Sequence, residues 1–295
     1  MKLYISFLYG VMILIWGTSW LGIKLQLGVV APELSVVYRF VLASVIMWIF
    51  AVISQQRIRF SRYNHTMFAI HGFFQFCLNY QFFYLATEYL TSGLVSVALS
   101  AIIVLNIFNA ALFFGQKISP QALLASMIGL TGLALVFWPE LTATQGTVKS
   151  WIGLGFSMGG TLCASFGTMM AMRHGRANIS IISSTLWAMT YGSLFSAIFA
   201  LAKGTPVTMD WSVQYITALV YLAIFATILA FGIYFYLIKK IGANKTSYAT
   251  LFFPLVALTI STIFEDYHWP WLAVIGVIMV LVGNITILYK PKQRH

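Results

Sequence analysis

Acidic residues are scarce in this chain: 295 residues hold 6 Asp and Glu against 17 Lys and Arg, and charged residues make up 8% of the total. Soluble domains carry about 25% charge, so an ordinary water-exposed globule is excluded. Cysteine is almost missing as well. Cys77 and Cys163 both fall in apolar stretches far apart, without the spacing of a disulfide framework or a metal site. No His-Glu-x-x-His pair or Asp-rich metal motif occurs, and no cofactor is expected. No polar segment between the apolar runs is long enough for a soluble domain.

What is present is 60% hydrophobic residues, 16% of the chain being aromatic, with a mean hydropathy of +0.89. Runs of about 17 to 25 apolar residues suit membrane-crossing helices. Ten are predicted: Tyr4 to Ile23, Leu34 to Ile53, Met67 to Thr87, Thr91 to Phe114, Gln121 to Trp138, Trp151 to Met170, Ile181 to Leu201, Val213 to Ile238, Thr246 to Phe264 and Trp271 to Tyr289. The first has too long an apolar run for a signal peptide and is expected to stay as a helix. The fold class is therefore an all-α polytopic membrane protein.

The net charge of +11 does not call for nucleic acid, because the cations are scattered through short loops. It reads as membrane orientation. With the N-terminus inside, 13 of the 17 Lys and Arg fall on the cytoplasmic side, whereas Lys24, Arg39, Lys149, Lys203 and all six acids fall outside. Both termini are expected to be cytoplasmic, in a bacterial inner membrane. The chain divides into residues 1–140 and 149–295 around a polar link at 141–148. Two halves of five spans each would face opposite ways, the inverted plan of many transporters. Setting Gly93 against Gly242 places Gln116 against Glu265, with little matching between them.

Candidate functional residues begin in the first two spans, with Trp16, Thr18, Ser19, Trp20, Lys24 and Arg39. Ionisable groups inside hydrocarbon need water, a partner or a ligand, which singles out Lys24 and Arg39 unless both snorkel to the headgroups. Trp16 lies too deep for the near-side aromatic belt and lines a cavity or packs helices. His71, Gln75 and Asn79 recur every four residues as one polar stripe, and Tyr80 and Tyr84 follow. The stripe either bonds neighbouring helices or makes Asn79 part of a substrate surface. His71 is a candidate for proton coupling. Ser92, Ser96 and Ser100 share a face, and glycines crowd the sixth span; both patterns favour close helix contact. Pro254, deep in the ninth span, is a candidate hinge, polar contact or kink.

These residues resemble the drug/metabolite transporter superfamily, in particular its EamA-like bacterial permeases. The likeness runs through Trp16-Gly17-Thr18-Ser19-Trp20, Lys24, Pro32-Glu33, Arg39-Phe40, Asn79-Tyr80, Tyr84, Thr91 to Leu94, Gly242-Ala243, Pro254 and Glu265. It implies two inverted five-helix repeats around a central cavity. It departs where the first repeat commonly has a proline and an acid, here Leu105 or its neighbours and Gln116.

No carboxylate falls at the expected bilayer midplane, so a cationic substrate would meet only aromatic faces, whereas an anion could meet Lys24 or Arg39. The reading is an exporter or exchanger of small amphipathic metabolites, such as amino acids or their derivatives. A flippase for a lipid or lipid-linked metabolite is the alternative, and a membrane-embedded enzyme is disfavoured. The expected partners are a small-molecule substrate and the lipid bilayer, with the protein a monomer or homodimer.

Overall fold

The computed structural model describes residues 2–142, 147–241, 246 and 248–288. Four unbroken helices follow the apolar runs closely: α1 (Lys2–Leu25), α2 (Pro32–Ile53), α5 (Pro120–Thr142) and α7 (Ile181–Ala202). α6 (Thr147–Arg176) is longer than its apolar stretch, and α10 (Trp271–Leu288) closes the described bundle. Local signals set the ends. Pro32 occupies the first turn of α2, Ser180 caps α7 by accepting from the Ser183 amide, and Gly115 at φ 63 stops the helix Ile102–Phe114 in the left-handed region.

The other four spans are irregular, and their irregularities are paired. α3 comprises Arg62–Gly72, a π segment Phe73–Leu78 and Asn79–Tyr89; α8 comprises Val213–Val220, a π segment Tyr221–Leu229 and Ala230–Ile241. α4 is broken into Ser92–Leu99 and Ile102–Phe114, and in α9 a 3-10 turn, Tyr248–Leu251, precedes the helix Phe253–Phe264. The shift that sets Gly93 against Gly242 lays residues 73–78 inside Tyr221–Leu229 and the α4 break on the α9 turn; it also lays residues 32–53 on Ile181–Ala202. A duplication scarcely visible in side-chain identity is thus written in backbone form.

Packing has the same symmetry. α5 lies along α10, α2 along α7 and α4 along α9, while α1 meets α8 and α9 as α6 meets α3 and α4. Exchanging the halves maps each of these contacts onto another or onto itself, as two inverted five-helix repeats require. Glycine permits the closest approaches. A Cβ on Gly132 would lie 2.6 Å from the Gly276 carbonyl oxygen, and one on Gly72 would lie 2.3 Å from that of Ala188. In hydrocarbon, helix association rests on such contacts rather than on water release.

Among the described residues six helices, Leu3–Leu25, Pro32–Ile53, Ser92–Phe114, Pro120–Thr142, Ile181–Ala202 and Val213–Tyr234, are each long and apolar enough to cross a membrane alone. Phe253–Phe264 and Trp271–Ile287 are shorter apolar helices. α3 and α6 are more polar and pack heavily on each other.

Pro254 differs from its expected place. It is at the first turn of the helical part of α9, where its missing N–H costs no intrahelical bond. The irregularity at this level is the 3-10 turn before it.

Candidate functional site

Arg39 is the centre of the polar interior. It is 2% exposed, although its side chain is among the most costly to bury. Its guanidinium lies over the Tyr80 ring, 4.6 Å from the centroid, and 5.3 Å from that of Phe40. Nε and Nη2 donate to Thr227 Oγ1 over long distances of 3.4 and 3.3 Å. Nη1 has no partner among the described residues, and no carboxylate lies in ion-pair range of Arg39 there. An arginine held by aromatic faces and by the hydroxyl groups of Thr227 and Tyr84, with a donor left over, can chemically accept an oxyanion.

Thr227 reaches Arg39 because of the π segment in α8. In that wider turn its hydroxyl donates to the Leu222 carbonyl five residues back, leaving the oxygen free to accept from α2. π segments are frequent at functional sites for this reason. Another consequence falls on Trp16. The Ala230 amide donates to the Phe225 and Thr227 carbonyls, passing over Ala226, and Trp16 Nε1 donates to the Ala226 carbonyl at 2.9 Å.

The aromatic pair of α1 divides between the halves. Trp16 packs edge-on against Phe231 and Phe253 and beside Tyr234, all in the second repeat, whereas Trp20 packs on Phe83 in the first. Thr18 meets the Tyr221 hydroxyl at 2.5 Å, and that hydroxyl donates to the Ile15 carbonyl at 3.0 Å, so with the Trp16 bond α1 is tied to the α8 π segment three times. The Ser19 hydroxyl turns back onto the Trp16 carbonyl. Above Arg39, fully buried Tyr84 donates to Gln26 Oε1 at 2.5 Å.

Not every expected residue joins this centre. Lys24 donates to the Thr87 carbonyl at 2.6 Å, at the acid-rich end of the bundle. The polar stripe of α3 faces α6: His71 rings against His174, Gln75 against Gly167, and the Asn79 carbonyl against Gly160. Asn79 Nδ2 donates to the Gln75 carbonyl, and its Oδ1 is buried without a partner among the described residues. Ser100 donates to the Val97 carbonyl and, with Leu251, Pro254 and Asn284, lines a cavity of about 10 Å³ between the broken helices. That holds about one water molecule. The expected central chamber is therefore a closed polar centre here, with side chains of both halves packed into it.

Several participants escaped the sequence reading: Thr227, Tyr221, Gln26, His174 and Ser261, and with Ser261 the pairing of Ser92 with Glu265. Their signal was weak because a hydroxyl or amide in an apolar span looks the same whether it bonds its own helix or a distant one. Gly242-Ala243 lies outside the described residues. One motif was also passed over. Gly155-Phe156-Ser157-Met158-Gly159 spells Gly-x-Ser-x-Gly, but it lies within the long helix α6, where Ser157 donates to the Gly153 carbonyl. A nucleophile elbow needs a strand-to-helix turn, which this is not.

A helical bundle of two inverted repeats, closed around a cationic and aromatic centre at their interface, defines a membrane solute transporter. The EamA-like transporter family matches residues 3–138 and 149–289, one segment for each half. The chain belongs to that family. It is 24% identical to Protein PagO of Salmonella typhimurium over 96% of this chain and 94% of that protein. It is 22% identical to the uncharacterized transporter YvbV of Bacillus subtilis, covering 98% and 93% respectively. A solved crystal structure shares the fold with a TM-score of 0.67 at 14% identity, over 96% of each chain.

Proposed function

We propose that this transporter moves small amphipathic anions or zwitterions, such as amino acids and their derivatives, by alternating access, with Arg39 as the group that holds the substrate carboxylate. The carrying observation is the buried guanidinium whose Nη1 is unpartnered and which no acid neutralises among the described residues. A charge in that position is tolerated when a ligand completes it. Tyr80, Trp16 and Trp20 offer aromatic surface to the apolar part of such a ligand, and Thr18, Ser19, Tyr84, Asn79, Ser100 and Pro254 complete the proposed path. Lys24 at the acid-rich end is a place of first contact, and His71 is the remaining titratable candidate for coupling.

The protein acts as an exporter or exchanger and performs no catalysis of its own. It sits in a bacterial inner membrane with both termini in the cytoplasm, a placement supported by the basic loops. The division of the sequence into repeats falls at residues 141–148, between the two segments that match the family.

Thermal-shift screening of the purified protein against amino acids, their derivatives and lipid headgroups tests this reading. A ligand that binds the native state raises its melting temperature. Stabilisation by carboxylates, lost in Arg39→Gln, is the expected result. Stabilisation by headgroups alone, or carboxylate binding undisturbed in Arg39→Gln, would overturn it.

A further inference from the structure

The strongest feature that the substrate reading leaves unused lies at the acid-rich end. The Ser92 amide donates to Glu265 Oε2 at 2.9 Å and to Oε1 at 3.3 Å, and the Ser92 hydroxyl donates to Oε2 at 2.6 Å. Ser261 Oγ also donates to Oε2, while accepting from the Gly93 amide at 2.8 Å. The two serine hydroxyls lie 3.1 Å apart. Four hydrogen bonds thus join the start of α4 to the end of α9, and the bond from Ser261 to Glu265 ties the acceptors together within α9.

This is a helix cap supplied from the wrong half of the molecule. The N-cap residue of α4, Thr91, makes no side-chain capping bond. The free amides at a helix start need an acceptor, and a carboxylate suits the positive end of the helix. Here that acceptor comes from a residue 173 positions away. Close packing reinforces the contact, since a Cβ on Gly93 would lie 2.9 Å from the Leu258 Cα. Parting the two repeats at this end uncaps α4.

The duplication supplies the second half of the argument. Alternating access in an inverted repeat exchanges the roles of the halves, so the contact made by Glu265 at one end falls to its counterpart at the other. The shift that aligns the backbone irregularities sets Gln116 against Glu265, and the Gln116 side chain is exposed. A neutral amide caps a helix start more weakly than a carboxylate does.

We infer that Glu265, Ser92 and Ser261 form the latch that shuts the acid-rich end, and that glutamine at position 116 leaves the opposite end without an equal latch. The resting transporter therefore stays closed at the acid-rich end. This inference needs the inverted repeat but not the Arg39 reading, because it concerns the equilibrium of the empty protein.

Hydrogen–deuterium exchange of the protein in lipid nanodiscs, without substrate, tests it. Glu265→Gln is expected to speed exchange about tenfold, in segment 91–96 and also across the rest of that end, at residues 26–33 and 200–206. Ser261→Ala should do the same by a smaller factor. Gln116→Glu should likewise speed exchange at the acid-rich end while slowing it at residues 110–122. Should Glu265→Gln not accumulate, Ser261→Ala carries that arm of the test. Faster exchange confined to 91–96 would mark an ordinary helix cap and overturn the latch. An unchanged profile in Gln116→Glu would overturn the asymmetry.

Discussion

Arg39 of the first repeat and Thr227 of the second meet inside the bundle, with Thr227 Oγ1 accepting from both Nε and Nη2 of the guanidinium. No acid balances that charge among the described residues. This contact joins the two halves at the place where the proposed substrate binds, and the first prediction follows from it.

Replacing Arg39 by methionine should separate stability from function. A buried charge without a counter-ion adds little to folding, and an apolar residue of similar volume is often neutral or stabilising there. The melting temperature should hold or rise. Carboxylate affinity should fall by tenfold or more, about 1.4 kcal/mol, and transport into proteoliposomes should fall with it. Arg39→Lys keeps the charge but loses the planar fork, so it should recover only part of the binding.

Trp16→Phe keeps the aromatic contacts with Phe231 and Phe253 but removes the donor to the Ala226 carbonyl. That carbonyl is then left without its side-chain donor at the end of the π segment. The expected cost is about 1 kcal/mol of stability, measured by thermal unfolding in detergent. Trp20→Phe serves as the comparison and should cost less, since Trp20 makes no such hydrogen bond across the repeats among the described residues.

Glycine positions should divide sharply. Gly72→Ala drives a methyl group into the Ala188 carbonyl and the Gly192 amide of α7, which are backbone and cannot swing away. A loss of about 1 to 3 kcal/mol is expected. Gly155→Ala meets nothing within 4 Å and should be neutral or slightly stabilising, because alanine favours helix. Melting of the two variants side by side checks the pair.

The ion pair between Lys203 and Glu33 should respond unequally to its two deletions. The Glu33 side chain is 3% exposed and that of Lys203 57%. Lys203→Met leaves a carboxylate buried without its partner, whereas Glu33→Gln releases a lysine into water. Lys203→Met should therefore be the more destabilising by about 1 to 2 kcal/mol. Equal melting temperatures for the two variants would contradict the buried placement of Glu33.

The limits of sequence reading appear in particular residues. Arg39 could be picked out because a charge among apolar neighbours is conspicuous by cost alone. Thr227 could not: threonine is cheap in a helix, and only the π turn of α8 and the passage of α2 beside it give its hydroxyl a second use. The α3 stripe was visible as a spacing of four, yet the spacing did not say which helix it faced. The structure turns it toward α6 and away from Arg39, which places Asn79 at a helix contact and Tyr80 at the charge. Pro254 reads as a mid-span kink because a proline in an apolar run ordinarily is one. The 3-10 turn before it makes the same residue the start of a helix.

By itself the sequence determined that ten stretches enter a membrane, because the transfer of an apolar helix from water to hydrocarbon depends on composition and length and on little else. It also set most of the cations, 13 of 17, at the end away from the acids. Which helices touch was decided by tertiary structure alone. Within lipid, any apolar face is as content against the bilayer as against a neighbour, so pairing rests on glycine-sized gaps, stray hydrogen bonds and backbone irregularities whose partners lie a hundred or more residues away. The closed centre around Arg39 and the bond from Glu265 to Ser92 exist only once those pairings are made.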